Sequence, residues 1–581
     1  MKYYGGMVSK RLTVIAGATA LLPLTGAAAA TVTSFNTEVA SVFARHCVSC
    51  HNERGSMPSL PLTSYGAARA AATKIRDQVT TGKMPPWFAD PTQSVAFRND
   101  ARLSSEEVNT VVAWVDGGAS EGSGSPPSFP APASGWAQPQ GRAPDLIVGL
   151  PRVKIPANGE LPYVRLLIKV TTRKDEWITG LQALPGNAGV VHHMGITEVT
   201  LADGVTPANM SQLDTVARQL GMPAGSLTSQ KPSVPDPTNP AVYDMLSIYT
   251  PGTTYESFGS HAGKLLKAGP QHYINFNIHY TTTGKAQTDQ SKLGLWLTSK
   301  PPEHQLYRAP MPGRTLLVNG RELLSDDPGT KAEGTDVAIP PIPPNEQHYE
   351  LTGVTALLSP ITIYALQPHA HLRNKSFRYA VFMPDGSERT LLNVPAYDFH
   401  WQLRYELAQA MVLPAGSKLV VTGEYDNSTR NAHLLAAAAE DPLRRCGPDK
   451  VVHFRDQNQT WDEMFSPLVE YTVPRATQPR RSVRLIAAVG CLTRTSTGGW
   501  NLGRIGNLQD TSAQSTSRTE RTALAQQPDG TLSVRLLGMQ PFHPDTQADQ
   551  RVIAKGVLMT DPDGSRLNVT SLQATGTACA R

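Results

Sequence analysis

The stretch Cys47-Val48-Ser49-Cys50-His51 places two thiols at the spacing for thioether attachment, followed at once by an imidazole. That is the signature of covalently held haem c. Cys47 and Cys50 would hold the haem vinyl groups, and His51 would be the proximal axial ligand. Haem c iron often takes a methionine as its sixth ligand, which raises the potential. Met84 in Gly82-Lys83-Met84-Pro85-Pro86-Trp87 is the candidate, because the prolines keep its loop from becoming a helix. Met57 competes for this role but lies closer to the helix carrying the haem.

Four further groups could bind metal. They are Val190-Val191-His192-His193-Met194, Asn275-Phe276-Asn277-Ile278-His279-Tyr280, Pro368-His369-Ala370-His371 and Trp461-Asp462-Glu463-Met464. Residues i and i+2 of a strand share a face, so His369 and His371 can chelate one ion. Surface histidines are the plain alternative. A thioether such as Met464 is a soft ligand that favours Cu(I) and has no place at a zinc site. Neighbours on a strand point oppositely, so His192 and His193 reach one ion only at a bulge or a strand end. His279 shares a polar face with Asn275 and Asn277, while Ile274, Phe276 and Ile278 form the apolar one. His272, His304, His348, His433 and His453 show no partner spacing and read as ordinary residues.

The elements around these groups fall into blocks. Lys2, Lys10 and Arg11 precede an apolar run from Leu12 to Leu24 that ends in small residues, so 1–30 reads as a removed signal peptide. The run is shorter than the roughly 20 residues a spanning helix needs. A periplasmic or secreted protein with no stable membrane insertion is expected. Residues 34–122 read as an all-α cytochrome domain, with a helix over 65–81 and a last helix capped at Ser104-Ser105-Glu106-Glu107 and stopped at Gly117. A Pro/Gly/Ser linker, 123–142, follows.

Beyond it, short alternating runs such as 163–170, 274–280, 377–383 and 418–425 predict antiparallel β-sandwiches over 143–315 and 316–478. A small β domain of oligonucleotide/oligosaccharide-binding type is expected over 482–581. Cys491 and Cys579 could close it by a disulfide in an oxidising compartment, leaving Cys446 over. The fold class is therefore mainly β and multidomain, with a small helical domain in front.

Composition limits the function. Glycine and proline, 47 each in 581 residues, make up about 16% of the chain against a usual ~12%, which suits many turns. The net charge of +5 is small and unclustered, so nucleic-acid binding has no support.

Taken in order, the HHM, NxHY, HxH and DEM motifs over roughly 145–475 resemble the copper type II, ascorbate-dependent monooxygenases. That is the family of peptidylglycine α-hydroxylating and dopamine β-monooxygenases, here in a bacterial form with a cytochrome in front. The resemblance implies two jelly-roll sandwiches facing each other across a solvent-filled cleft. One copper would be held by His192, His193 and His279, storing an electron. The other, held by His369, His371 and Met464, would bind dioxygen, making those three the catalytic residues. It implies hydroxylation of a C–H bond of a small organic substrate, with electrons from an ascorbate-like reductant or a cytochrome.

Two departures bear on the substrate. Gln367 stands where the peptide-hydroxylating relatives have a carboxylate-binding arginine, and an amide cannot make that bidentate charged contact. Leu468 replaces a tyrosine, so peptide amidation is not expected. The competing expectations are a non-catalytic haem–copper electron-transfer or copper-binding protein, and a dehydrogenase passing electrons outward.

Overall fold

The computed structural model describes residues 33–579, except 130–134, 160, 202, 210–213, 223, 226, 228–244, 254, 260, 312, 330–334, 336, 442–443, 455–458, 476–482 and 562–563. The expected signal peptide, part of the linker and the start of the last domain lie outside the described residues. Among the described residues, no helix is long and apolar enough to cross a membrane.

The N-terminal unit is helical. Phe35–Val39 and Ala40–His46 run into the Cys47–His51 segment, followed by Tyr65–Ala70, Ala72–Thr80 and Ser105–Asp116. The single helix expected over 65–81 is broken at Ala71. Its amide is shared between the Ala67 and Ala68 carbonyls, a local tightening that ends one helix and starts the next. Ser104 opens the last helix with a capping box: its hydroxyl accepts from the Glu107 amide and the Glu107 carboxylate accepts from its own amide. Phe35, Phe43, Val79, Val111 and Trp114 close the core.

The rest is β. One nine-stranded sheet runs through both halves in the order Leu146–Gly149, Lys292–Thr298, Glu176–Leu184, Ala262–Leu266, His304–Pro310, Leu468–Pro474, Ile361–Gln367, Tyr405–Leu413, with Glu256–Ser257 beside Glu176–Leu184. His304–Pro310 is the junction. It pairs in parallel with Ala262–Leu266 over two residues and antiparallel with Leu468–Pro474 along its whole length.

A four-stranded sheet covers the first half: Val164–Lys169, His272–Tyr280, Val191–Thr200, Met245–Tyr249. A six-stranded sheet covers the second, and its apolar runs are buried on both faces. Leu316, Tyr379, Val381 and Val421 point into the second half's core, while Leu317, Ala380, Phe382 and Val420 point into the C-terminal unit. Period-2 geometry sorts them, and two covered faces explain why these strands read as continuous apolar runs.

The C-terminal strands close a ring. Trp500–Ile505, Leu532–Leu537, Gly564–Ala578, Gln550–Asp561 and Arg484–Arg494 pair in that order, and the last returns to the first. The Cys491–Cys579 disulfide is present, with Cα atoms 5.7 Å apart. This unit covers the outer face of the six-stranded sheet.

A buried ionic network ties the halves together. Arg308, on the junction strand, donates to Glu470 (3.0 Å), to Glu256 (2.5 Å) and to the Leu246 carbonyl (2.8 Å). Arg404 donates to the other Glu470 oxygen at 2.8 Å.

Candidate functional site

Strand pairing positions the first histidine group. His193 pairs with His279 and Val191 with Tyr280, so His192 is the extra residue of a β-bulge. The bulge turns His192 onto the face of His193, the geometry the adjacent pair requires. Ligand nitrogens of His192, His193 and His279 lie within 4.8 Å of one another. Asn275 and Asn277 share the side of the strand facing the second half, and Ile274, Phe276 and Ile278 enter the core.

The second group departs from the strand geometry expected for the HxH. The strand Ile361–Gln367 ends before Pro368, so His369 and His371 lie in the connection to Asn374–Phe382. Tertiary contacts hold them there instead. The buried Glu463 carboxylate accepts from the amides of His371 (3.0 Å), Arg373 (2.7 Å) and Met464 (3.2 Å), fastening the HxH turn to the Trp461–Met464 segment. His369 Nδ1 donates to Gln402 Oε1 (2.6 Å), and His371 Nδ1 donates to the Asp462 carbonyl (3.1 Å). Both rings therefore keep Nε2 for a ligand, as outer-shell partners of metal-binding histidines do. His369 Nε2 lies 3.3 Å from Met464 Sδ.

The two groups abut. Ring centroids of His193 and His369 are 6.0 Å apart. Tyr163 lies between them, its hydroxyl 3.3 Å from His193 Nε2 and its ring 4.7 Å from His279 and 6.0 Å from His371. Phe399 is ringed by His192, His193, His279 and His371 at 5.5–6.4 Å. The solvent-filled cleft expected from the resemblance is absent between these residues, because the aromatic pair and the continuous sheet bring the halves together. A cavity of about 40 Å³ remains beside His193, His369 and Met464, lined also by Asn275, Asn277 and Leu468. That is room for little more than a water molecule or a diatomic gas.

Chemically, the site is a set of neutral donors. Both ring nitrogens of His192, His279 Nδ1 and His371 Nε2 are buried without a hydrogen-bond partner among the described residues. Unpaired buried polar atoms are costly, so this many in one place fit a ligand set made for an ion. Burial pushes His192 and His371 down to about 3 and His369 to about 4, with His193 and His279 also well below the ordinary 6.5.

Linkage gives the sign of the pH effect. Below pH 6.5 the unfolded histidines take up protons that the folded ones refuse, so stability falls with pH by about 1.4 kcal/mol per unit for each such group. Metal-free protein should melt at progressively lower temperature from pH 6.5 towards pH 4, and a melting temperature flat across that range would contradict the neutral assignment.

In the helical unit, His51 Nδ1 donates to the Leu60 carbonyl (3.1 Å), which leaves Nε2 for iron. Cys47 and Cys50 are unpaired and partly exposed. Met84 is half-buried on the loop after Ala72–Thr80, its amide donating to the Gln78 carbonyl. Met57 is exposed.

The cysteine loop lies against the connections next to two neighbouring strands, Val191–Thr200 and Met245–Tyr249. A methyl on Gly189, three residues before His192, would meet Pro58 at 3.5 Å, and one on Gly252 would lie 3.9 Å from Cys50 Sγ. Tyr249, paired with Met194 across the sheet, has its hydroxyl pKa raised by burial and then by Cys50. The segment after Met84 docks on the second half. Trp87 sits 4.9 Å from the Tyr405 ring, and the Asp90 and Arg98 amides donate to the Asn393 and Glu406 carbonyls at 2.8 Å.

Tyr163, Phe399, Gln402 and Glu463 were not legible as site residues. Tyr163 reads only as the first residue of a strand, and Glu463 is visible inside its motif without a role. Gln367, at the position expected to bear on substrate, donates to the Gln402 carbonyl (3.1 Å) and so supports the partner of His369.

Residues 36–115 match the family model of cytochrome c oxidase, cbb3-type, subunit III. The N-terminal unit is a c-type cytochrome domain, and its chemistry is haem-based electron transfer. No curated protein matches the chain.

Proposed function

We propose that the chain is an exported haem–copper monooxygenase that hydroxylates a C–H bond of a small organic substrate with dioxygen. One observation carries this reading: five imidazoles and one thioether converge, four of the ring nitrogens being buried with no partner among the described residues. Copper, when bound, supplies one-electron chemistry with dioxygen at the sulfur-containing group and electron storage at the three-imidazole group. Each turnover inserts one oxygen atom, and two electrons and two protons take the other to water.

The chain's own residues do the rest. Gln402 and the Asp462 carbonyl fix the tautomers of His369 and His371, and Glu463 holds the turn that carries them. Tyr163 and Phe399 fill most of the space between the groups, leaving the small cavity beside His193, His369 and Met464. The packing of Cys50 and Pro58 against Gly252 and Gly189 brings the haem attachment point to the turn before the strand of His192, which supports an inward feed of electrons. Two jelly-roll sandwiches and a barrel of the oligonucleotide/oligosaccharide-binding type remain the architecture proposed, with Met84 as the sixth haem ligand.

The cavity size favours a second reading, a haem–copper electron-transfer protein without turnover. Copper-loaded protein that consumes no oxygen with ascorbate would establish that reading. For the electron feed, the Cys47→Ala/Cys50→Ala variant should lose oxygen consumption driven by a reduced protein donor while retaining it with ascorbate. Equal loss with both reductants would reject the feed.

A further inference from the structure

We infer that Asp398, His400 and His433 form an outer metal site, open to solvent, that captures a divalent first-row ion before the buried histidine group. His400 Nδ1 lies 3.0 Å from Asp398 Oδ1, and the His400 and His433 rings are 5.7 Å apart. One ligand atom from each of the three residues falls within 4.8 Å of the others. The three come from two segments. Asp398 and His400 flank Phe399 in the loop after Glu388–Val394, and His433 sits in the first turn of the helix Ala432–Glu440, capped by Asn431.

The loop has an inner and an outer face. Phe399 enters the ring of buried histidines, while His400 turns outward with 54% of its side chain exposed and Asp398 stays half-buried beside it. The His400 amide also donates to Asp398 Oδ1 (2.9 Å), which presets the turn that presents both ligands. Two imidazoles and a carboxylate, with no sulfur, suit Cu2+ or Zn2+, and Cu2+ stands highest in affinity for such donors. Binding replaces the direct His400–Asp398 contact with bonds from both to the ion.

Position gives the site its use. The His400 ring is 5.7 Å from His192, the least buried member of the inner group. His193, His279 and His371 are closed off from solvent. An ion held by the outer triad therefore stands one imidazole away from the inner one. The capture role rests on the copper reading of the inner group, whereas the outer site does not.

Metal-free protein titrated with Cu2+ against a chromophoric chelator tests this. The His400→Ala/His433→Ala variant should bind one Cu2+ fewer per chain than the parent and lose one component of the Cu2+ paramagnetic resonance spectrum. Asp398→Asn, which preserves the turn, should keep the count and weaken that ion by about tenfold or more. Equal counts and spectra in parent and double variant would overturn the site. At limiting Cu2+ the double variant should also fill its inner group more than tenfold slower, and an unchanged rate would overturn the capture role. A parent that binds a single ion, lost in the double variant, would keep the outer site and remove the copper reading of the inner groups.

Discussion

Met464→Leu should reduce ascorbate-driven oxygen consumption by more than about 100-fold and remove one copper per chain, leaving the haem spectrum unchanged. Leucine is close in volume to methionine, so the packing cost stays below roughly 1.5 kcal/mol. What is lost is the sulfur 3.3 Å from His369 Nε2, the soft donor of its group. Loss of an outer-shell partner alone costs roughly 10–100-fold in metal affinity or activity. Gln402→Leu, which frees His369 Nδ1, should fall in that smaller range. Removal of a donor should exceed it. A Met464→Leu protein with the parent's rate and copper content would sink the monooxygenase proposal.

Arg308→Met should destabilise the protein by about 3–5 kcal/mol, read as a drop in melting temperature with the haem and copper contents intact at 25 °C. The cost comes from what remains: Glu256 and Glu470 stay buried with their shared cation gone. Burial alone would raise the Glu470 pKa, yet Arg404 and Arg308 hold it at about 2. A carboxylate held below its unfolded value of 4.5 adds stability that is complete above pH 4.5 and vanishes as pH falls through 2. In the variant Glu470 protonates more readily, so the deficit should be largest at neutral pH and shrink below 4.5. A deficit that does not depend on pH would mean that lost packing, and not charge, explains the effect. Since Arg308 also holds the Leu246 carbonyl, on the strand whose Met245 and Ile248 line the cavity, the variant should loosen the site as well.

Much of this was legible because it is local. The Ser104–Glu107 cap, the period-2 strands and the polar face of Asn275, Asn277 and His279 depend only on near neighbours along the chain. An adjacent histidine pair on a strand needed either a bulge or a strand end to reach one ion, and the pairing with His272–Tyr280 made it a bulge. The HxH misled on geometry, since spacing alone does not show that Pro368 has already ended the strand. His433 looked isolated because His400 and Asp398 are about 35 residues away in sequence.

By itself, the sequence determined the haem attachment motif, the change from a small helical domain to a mainly β chain, and the cysteine pair available for the disulfide. These follow from residue identity, short spacings and hydrophobic period, which act within a few residues. Only the tertiary structure decided that the two histidine groups touch, that Tyr163 and Phe399 lie between them, and that the cysteine loop lies against the turn that leads into the strand of His192. Such contacts depend on strand order across a shared nine-stranded sheet and on how a few buried side chains, above all Arg308 and Glu463, link segments far apart along the chain.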